Sequence, residues 1–115
     1  MRTAAGIDLV AVDEVRRAVA AHGERYLRRV FTPRELASAA GRPARLAGTV
    51  AAKEATFKAL AVPADVTTVW LDVEIAPPRA HLRGALRCAY PHAQVTVSES
   101  WGRRYAVAVA IVEAL

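Results

Sequence analysis

The sequence predicts an α+β fold: a small antiparallel sheet packed against one long helix. Three observations carry that expectation. Helix-like patterns and helix stop signals fill residues 12–61, and extended patterns take over from residue 69. The longest helical pattern is alanine-rich and runs from Arg45 to Ala61. The last two extended segments are separated by a short turn, which makes them antiparallel neighbours.

Taken in order, residues 3–12 read as a buried strand with one carboxylate in it, Asp8. Asp13 is placed to cap a short helix, Glu14 to His22, that Gly23 stops. Glu24 to Phe31 reads as a second helical piece. Thr32-Pro33-Arg34-Glu35 combines a capping box with proline at the first helical position, opening a helix to about Ala40. Gly41-Arg42-Pro43 ends it, and Pro63 closes the long pattern that follows. Val69 to Ile75 reads as a strand, Pro77-Pro78 as a break, Ala80 to Arg83 as a short strand, and Ala85 to Tyr90 as a helical turn. Val95 to Ser98 and Tyr105 to Val112 are the final strands, joined through Ser100-Trp101-Gly102-Arg103-Arg104. A chain of 115 residues with no linker or repeat makes one domain, 1–115.

Composition excludes several classes. Hydrophobic residues are 54% of the chain, but 26 of them are Ala, and no apolar run reaches the ~18 residues of a membrane span. Asp8 interrupts the one early apolar stretch, so no export signal is read, and no membrane role is expected. The single cysteine, Cys88, excludes a disulfide framework and a cysteine-based zinc site. The expected compartment is the cytoplasm.

The net charge is +5, and 14 of the 16 cations are Arg. Residues 16–45 alone hold eight Arg against Glu24 and Glu35. No DNA- or RNA-binding motif accompanies that charge, so nucleic acid is not the expected partner. The two lysines, Lys53 and Lys58, lie five residues apart. Where nearly every cation is Arg, two clustered lysines point to a site that wants a compact ammonium.

Lys53-Glu54-Ala55-Thr56-Phe57-Lys58 is the sharpest local feature. Glu54 and Lys58 are four apart and share a helix face. Leu46 and Val50 precede Glu54 on the same row, which sets the pair at the edge of a buried face. A carboxylate beside an ammonium suits a metal–phosphate site: magnesium takes one or two carboxylates and shares phosphate oxygens, and a lysine supplies a point charge to them. Asp8 supplies a second carboxylate if its strand packs on this helix. His22, His81 and His92 lack metal-ligand spacing, and Ser98 and Ser100 lack a triad context. Trp70 and Trp101 read as core or interface residues.

Gly6-Ile7-Asp8-Leu9-Val10, Phe31-Thr32-Pro33-Arg34-Glu35, Leu46-Ala47-Gly48, Ala51-Ala52-Lys53-Glu54-Ala55 with Lys58-Ala59-Leu60, and Trp70-Leu71-Asp72-Val73-Glu74-Ile75 occur in the order and spacing of a known family. The chain resembles the holo-acyl carrier protein synthases, within the 4′-phosphopantetheinyl transferases. The resemblance implies a homotrimer with active sites between subunits. It implies Mg²⁺-dependent transfer of phosphopantetheine from coenzyme A to a serine of an acyl carrier protein, releasing adenosine 3′,5′-bisphosphate. It places Asp8 and Glu54 on the metal and Lys58 on the reacting phosphate, so that these three form the catalytic set. It places Lys53, Lys58, Thr49, Pro78, Arg79, Ser98 and Glu99 toward coenzyme A. It sets Glu14, Arg16, Arg17, Arg25 and Arg28 on the carrier-protein side.

The chain departs from the family where Glu14 replaces a usual Arg, where Thr49-Val50 replace an Arg and an aromatic, where Ser98-Glu99 stand for Ser-His, and where Ala76 replaces a glycine. These departures define an alternative expectation: a diverged member with the same fold, inactive as a transferase or repurposed to bind or act on another acyl substrate.

Overall fold

The computed structural model describes residues 2–63 and 67–115. The chain begins with strand β1 (Thr3–Ala11) and enters three short helices, α1 (Val12–His22), α2 (Glu24–Val30) and α3 (Pro33–Ala39). The long helix α4 (Pro43–Leu60) follows. A 3-10 segment (Thr67–Asp72) leads into β2 (Val73–Ala76), β3 (Arg79–Leu82), the short helix α5 (Gly84–Ala89), β4 (Gln94–Trp101) and β5 (Tyr105–Glu113). The strands form one antiparallel sheet in the order β1-β5-β4-β3-β2, as the α+β reading requires. No described helix is long and apolar enough to cross a membrane.

Helix α4 lies across the inner face of the sheet, and small side chains allow it to come close. Ala47, Ala51, Ala52, Ala55 and Ala59 are all buried. A Cβ added to Gly6 of β1 would overlap the Ala55 carbonyl oxygen, so only glycine fits where strand and helix meet. The alanine content is therefore in part a packing device. It brings β1 against α4 at the level of Asp8.

Side chains alternate along the strands. On the inner face, Gly6, Asp8 and Val10 of β1, Val95 and Val97 of β4, and Ala106, Ala108, Ala110 and Val112 of β5 are buried. The outer face carries Ile7, Leu9, Tyr105, Val107 and Val109, all exposed and apolar on adjacent, paired strands. The helices cover the inner face alone.

Three sequence expectations change. The strand expected from Val69 to Ile75 starts only at Val73, because the preceding residues form the 3-10 segment. The Trp70 carbonyl there accepts a hydrogen bond from Lys53 at 2.8 Å, and the Arg83 amide donates to the Asp72 carbonyl at 2.7 Å. Pairing with β3 begins at Val73↔Leu82. Ser100 and Trp101, read as turn, extend β4 instead, with Trp101 opposite Ala106. Asp13 does not cap α1. The helix starts two residues earlier, its Val12 amide donates to the Arg104 carbonyl at 2.8 Å, and Asp13 sits in the first turn paired with Arg17 at 2.9 Å. The capping box of α3 forms as expected, with the Thr32 hydroxyl accepting from the Glu35 amide and the Glu35 carboxylate accepting from the Thr32 amide.

Candidate active site

The close packing of β1 on α4 brings Asp8, Glu54 and Lys58 together. The Lys58 ammonium lies 2.7 Å from Asp8 Oδ1 and 3.1 Å from the Ile7 carbonyl oxygen. Lys58 keeps 57% of its side chain exposed, while the Asp8 side chain keeps 9%. The ammonium therefore fronts solvent and the carboxylate stands behind it. The hydrogen bond and charge of Asp8 hold the Lys58 pKa above its ordinary value.

Asp8 Oδ2 is sealed from solvent and receives no hydrogen bond while Glu54 is ionised. Glu54 stands beside it. Burial, then a hydrogen bond and repulsion from Asp8, push the Glu54 carboxyl up to about 8, and the charge of Lys58 only partly offsets them. Two carboxylates forced together, one with an orphaned oxygen, form a donor set suited to a small oxygen-seeking dication. No trio of metal-ligating side chains gathers among the described residues. Two carboxylates lie within the one or two that a magnesium site takes.

Lys53 behaves differently and corrects an expectation. Its ammonium is fully buried, 2.8 Å from Glu35 Oε1, and donates to the carbonyls of Val30 at 2.6 Å and Trp70 at 2.8 Å. All three ammonium protons are thereby engaged, so Lys53 has nothing to offer a coenzyme A phosphate. Burial pulls its pKa down, and the Glu35 carboxylate opposes that pull. Glu35 also accepts from the Ile75 amide through Oε2 at 2.6 Å. Sequence reading saw Glu35 only as half of a capping box. Its full role is to bind α3, α4 and β2 at one buried point, and the buried lysine five residues before Lys58 was the signal available for it.

The remaining expected coenzyme A residues divide. Pro78 and Arg79 meet β4 directly: the Val97 amide donates to the Pro78 carbonyl at 2.8 Å, and Arg79 stands opposite Thr96. Ser98 is exposed on the outer face, opposite Val109. Thr49 is half-buried, and its hydroxyl donates to the Arg45 carbonyl one turn back. Glu99 does not join Ser98, because neighbours on a strand point to opposite faces. It continues the inner row of Val95 and Val97, and its Oε2 is sealed over Gly48 without a partner. Burial raises its pKa, so the expected presentation of Glu99 to a phosphate is corrected to a carboxyl turned into the protein.

The expected carrier-side residues Glu14, Arg16, Arg17, Arg25 and Arg28 are all exposed on α1 and α2. Arg17 pairs with Asp13 and Arg28 with Glu24, at 2.9 and 3.2 Å. Sequence reading missed Tyr26, which lines a pocket with Glu54, and Arg45, whose guanidinium lies 5.7 Å from the centre of the Trp101 ring.

A sheet backed by a long helix is an arrangement this chain shares with solved structures. The pattern of the 4′-phosphopantetheinyl transferase superfamily matches residues 4–110. The chain belongs to that superfamily, in the holo-acyl carrier protein synthase family. It is 35% identical over 115 residues to the holo-[acyl-carrier-protein] synthase of Chlamydia trachomatis serovar D, covering 94% of this chain and 97% of that one. It is 40% identical over 120 residues to the Moorella thermoacetica synthase, covering 95% and 92%. Among solved structures, the Helicobacter pylori synthase in complex with coenzyme A superposes with a TM-score of 0.85 at 26% identity, covering 95% of this chain and 99% of that one.

Proposed function

We propose that the protein is a holo-acyl carrier protein synthase, moving 4′-phosphopantetheine from coenzyme A to a serine of an acyl carrier protein. The observation that carries this reading is the Lys58–Asp8 pair with Glu54 beside it, standing where the family motif and the strand–helix contact coincide. Asp8, through its free Oδ2, and Glu54 would hold Mg²⁺. When bound, the ion would offset the charge of the pyrophosphate. Lys58 projects its ammonium toward the same oxygens and stabilises the charge that grows on them in the transition state. The serine oxygen forms the new bond to phosphorus, the bond from that phosphorus to the bridging oxygen breaks, and adenosine 3′,5′-bisphosphate leaves. The serine proton would pass to one of these carboxylates or to a water at the site. Incubation with coenzyme A, Mg²⁺ and a panel of apo acyl carrier proteins tests the proposal. A carrier should gain about 340 Da, the mass of the transferred group. No gain on any carrier refutes it.

The same reading includes assembly as a homotrimer, with sites completed between copies. The exposed apolar stripe of Ile7, Leu9, Tyr105, Val107 and Val109 supports it, because water-facing patches of this kind on a sheet mark an interface. Ser98 and Ser100 border that stripe on β4, so a coenzyme A lying along β4 would reach a neighbouring copy. Leu9→Asp should convert a species of three copies to a single copy in sedimentation and abolish transfer with it. An unchanged mass and activity would remove the interface from this face.

A further inference from the structure

The turn between β4 and β5, Gly102-Arg103-Arg104, is fastened to the start of α1. The Val12 amide donates to the Arg104 carbonyl at 2.8 Å, and the Gly102 amide donates to the Tyr105 carbonyl at 2.9 Å. A pocket of about 470 Å³ opens where turn and helix meet, lined by Ala11, Asp13, Arg16, Arg103, Arg104 and Tyr105. It shares no residue with the site of Asp8, Glu54 and Lys58. Arg16 comes from α1 and the other two arginines from the turn, so none of the three stands on the outer sheet face that assembly would cover.

The charge of this pocket is one-sided. Among the described residues, Arg16, Arg103 and Arg104 form no ion pair. The one carboxylate in the lining, Asp13, is held by Arg17 at 2.9 Å. Four guanidiniums therefore stand against one carboxylate. Elsewhere on the surface Arg28 is paired with Glu24, and Arg34 and Arg83 share Glu74. Guanidiniums gathered round one cavity repel one another, and an anion entering it relieves that repulsion. Each presents a fork of N–H donors that fits phosphate oxygens two at a time. The volume falls in the range of small-ligand sites, ~300–1,000 Å³, which suits a chain of phosphates better than one. The backbone bonds between turn and helix hold the cations in place before any ligand arrives, so little ordering is left to offset binding.

We propose that this pocket is an anion-binding site separate from the catalytic one, taking an oligophosphate of two or more phosphoryl groups, free or carried on a nucleotide. Arg16, Arg103 and Arg104 supply the charge and the donors. Asp13 keeps Arg17 turned to itself. The bound anion ties the first turn of α1 to the β4–β5 turn, so it stabilises the folded chain. The proposal does not depend on the transferase reading.

The test is isothermal titration of tripolyphosphate, without Mg²⁺, into wild type and into Lys58→Ala, which lacks the active-site cation. Lys58→Ala should still bind one tripolyphosphate per chain, about tenfold more tightly than orthophosphate. Adding Arg103→Ala and Arg104→Ala should weaken that binding by about tenfold or more. Adding Arg2→Ala and Arg42→Ala instead removes the same charge from other exposed positions and should leave the affinity unchanged. Tripolyphosphate should raise the melting temperature, and the rise should disappear in the Arg103→Ala, Arg104→Ala chain. Tighter binding of ATP than of tripolyphosphate assigns the site to a nucleotide, and equal binding assigns it to the phosphate chain alone. Loss of binding in Lys58→Ala overturns the proposal, because the anion then sits at the catalytic site. Equal weakening in both double-arginine variants overturns it too, because the field of the whole protein then does the work. Displacement of tripolyphosphate by coenzyme A gives the arginines to the coenzyme A site and likewise overturns it.

Discussion

Helix α4 carries two lysine–carboxylate pairs whose contacts are almost identical in length and opposite in consequence. Lys53 meets Glu35 at 2.8 Å with both side chains fully buried. Lys58 meets Asp8 at 2.7 Å with the lysine 57% exposed. The difference lies in what else the charges touch. The Lys53 ammonium spends every proton inside the protein, and Glu35 spends both oxygens on Lys53 and backbone amides. Asp8 keeps one oxygen free, and Lys58 keeps a solvent face. A pair with all partners filled holds elements together; a pair with valence left over can bind a substrate. Five residues, about one and a half helical turns, separate the two roles.

The largest expected effect breaks the first pair. Lys53→Met leaves the Glu35 carboxylate buried with its cation gone, and should cost about 3–5 kcal/mol in a urea or thermal melt. Lys53→Met combined with Glu35→Leu removes both charges and should recover a good part of that loss. The recovery is incomplete, because the Thr32 and Ile75 amides and the Val30 and Trp70 carbonyls lose their partners. If Lys53→Met melts like wild type and only coenzyme A affinity drops, the division of labour is wrong.

The second pair is broken by Lys58→Ala. Transfer should fall about 10²–10³-fold in kcat, as when a transition-state donor is removed. The melting temperature should fall less than for Lys53→Met, because the lost ammonium is half-exposed and water can take its place in front of Asp8. The two lysine variants thus predict opposite signatures, stability lost in one and rate lost in the other. A Lys58→Ala enzyme that keeps its rate would reduce the outer pair to a surface contact.

Much of this contrast was legible in the sequence. The scarcity of lysine singled out both residues, and the i, i+4 spacing put Glu54 and Lys58 on one face. The strand carboxylate Asp8 was recognisable because a lone acid among Gly6, Ile7, Leu9 and Val10 needs a partner. The separate destinations of the two lysines were not legible, because helix periodicity states an angle and not what occupies it. Lys53 is buried by Val30, Trp70 and Glu35, which are 23, 17 and 18 residues away. The stretch before Val73 misled for a related reason. Its apolar residues suit a strand, but β3 offers pairing partners only from Val73 onward, and Lys53 holds the Trp70 carbonyl in the 3-10 segment.

Glu99 sharpens the comparison as a buried carboxylate with no lysine at all. Asp8 and Glu99 are both opposite Ala108 of β5, one on either side, so they share an inward-facing row about 10 Å apart across the sheet. Asp8 has Lys58; Glu99 has Gly48 beneath it and an oxygen without a partner. Burial raises the Glu99 pKa above its unfolded value. The folded state therefore holds the proton more tightly than the unfolded one. The stability this contributes is full below the unfolded pKa of ~4.3 and is lost as pH rises through the folded value. Glu99→Gln removes that titration while keeping the shape. Its stability relative to wild type should improve steadily from pH 4 to pH 7.5, read from urea melts at each pH. A constant difference across that range would mean that Glu99 finds a cation in solution, and the row would then hold two paired carboxylates rather than one.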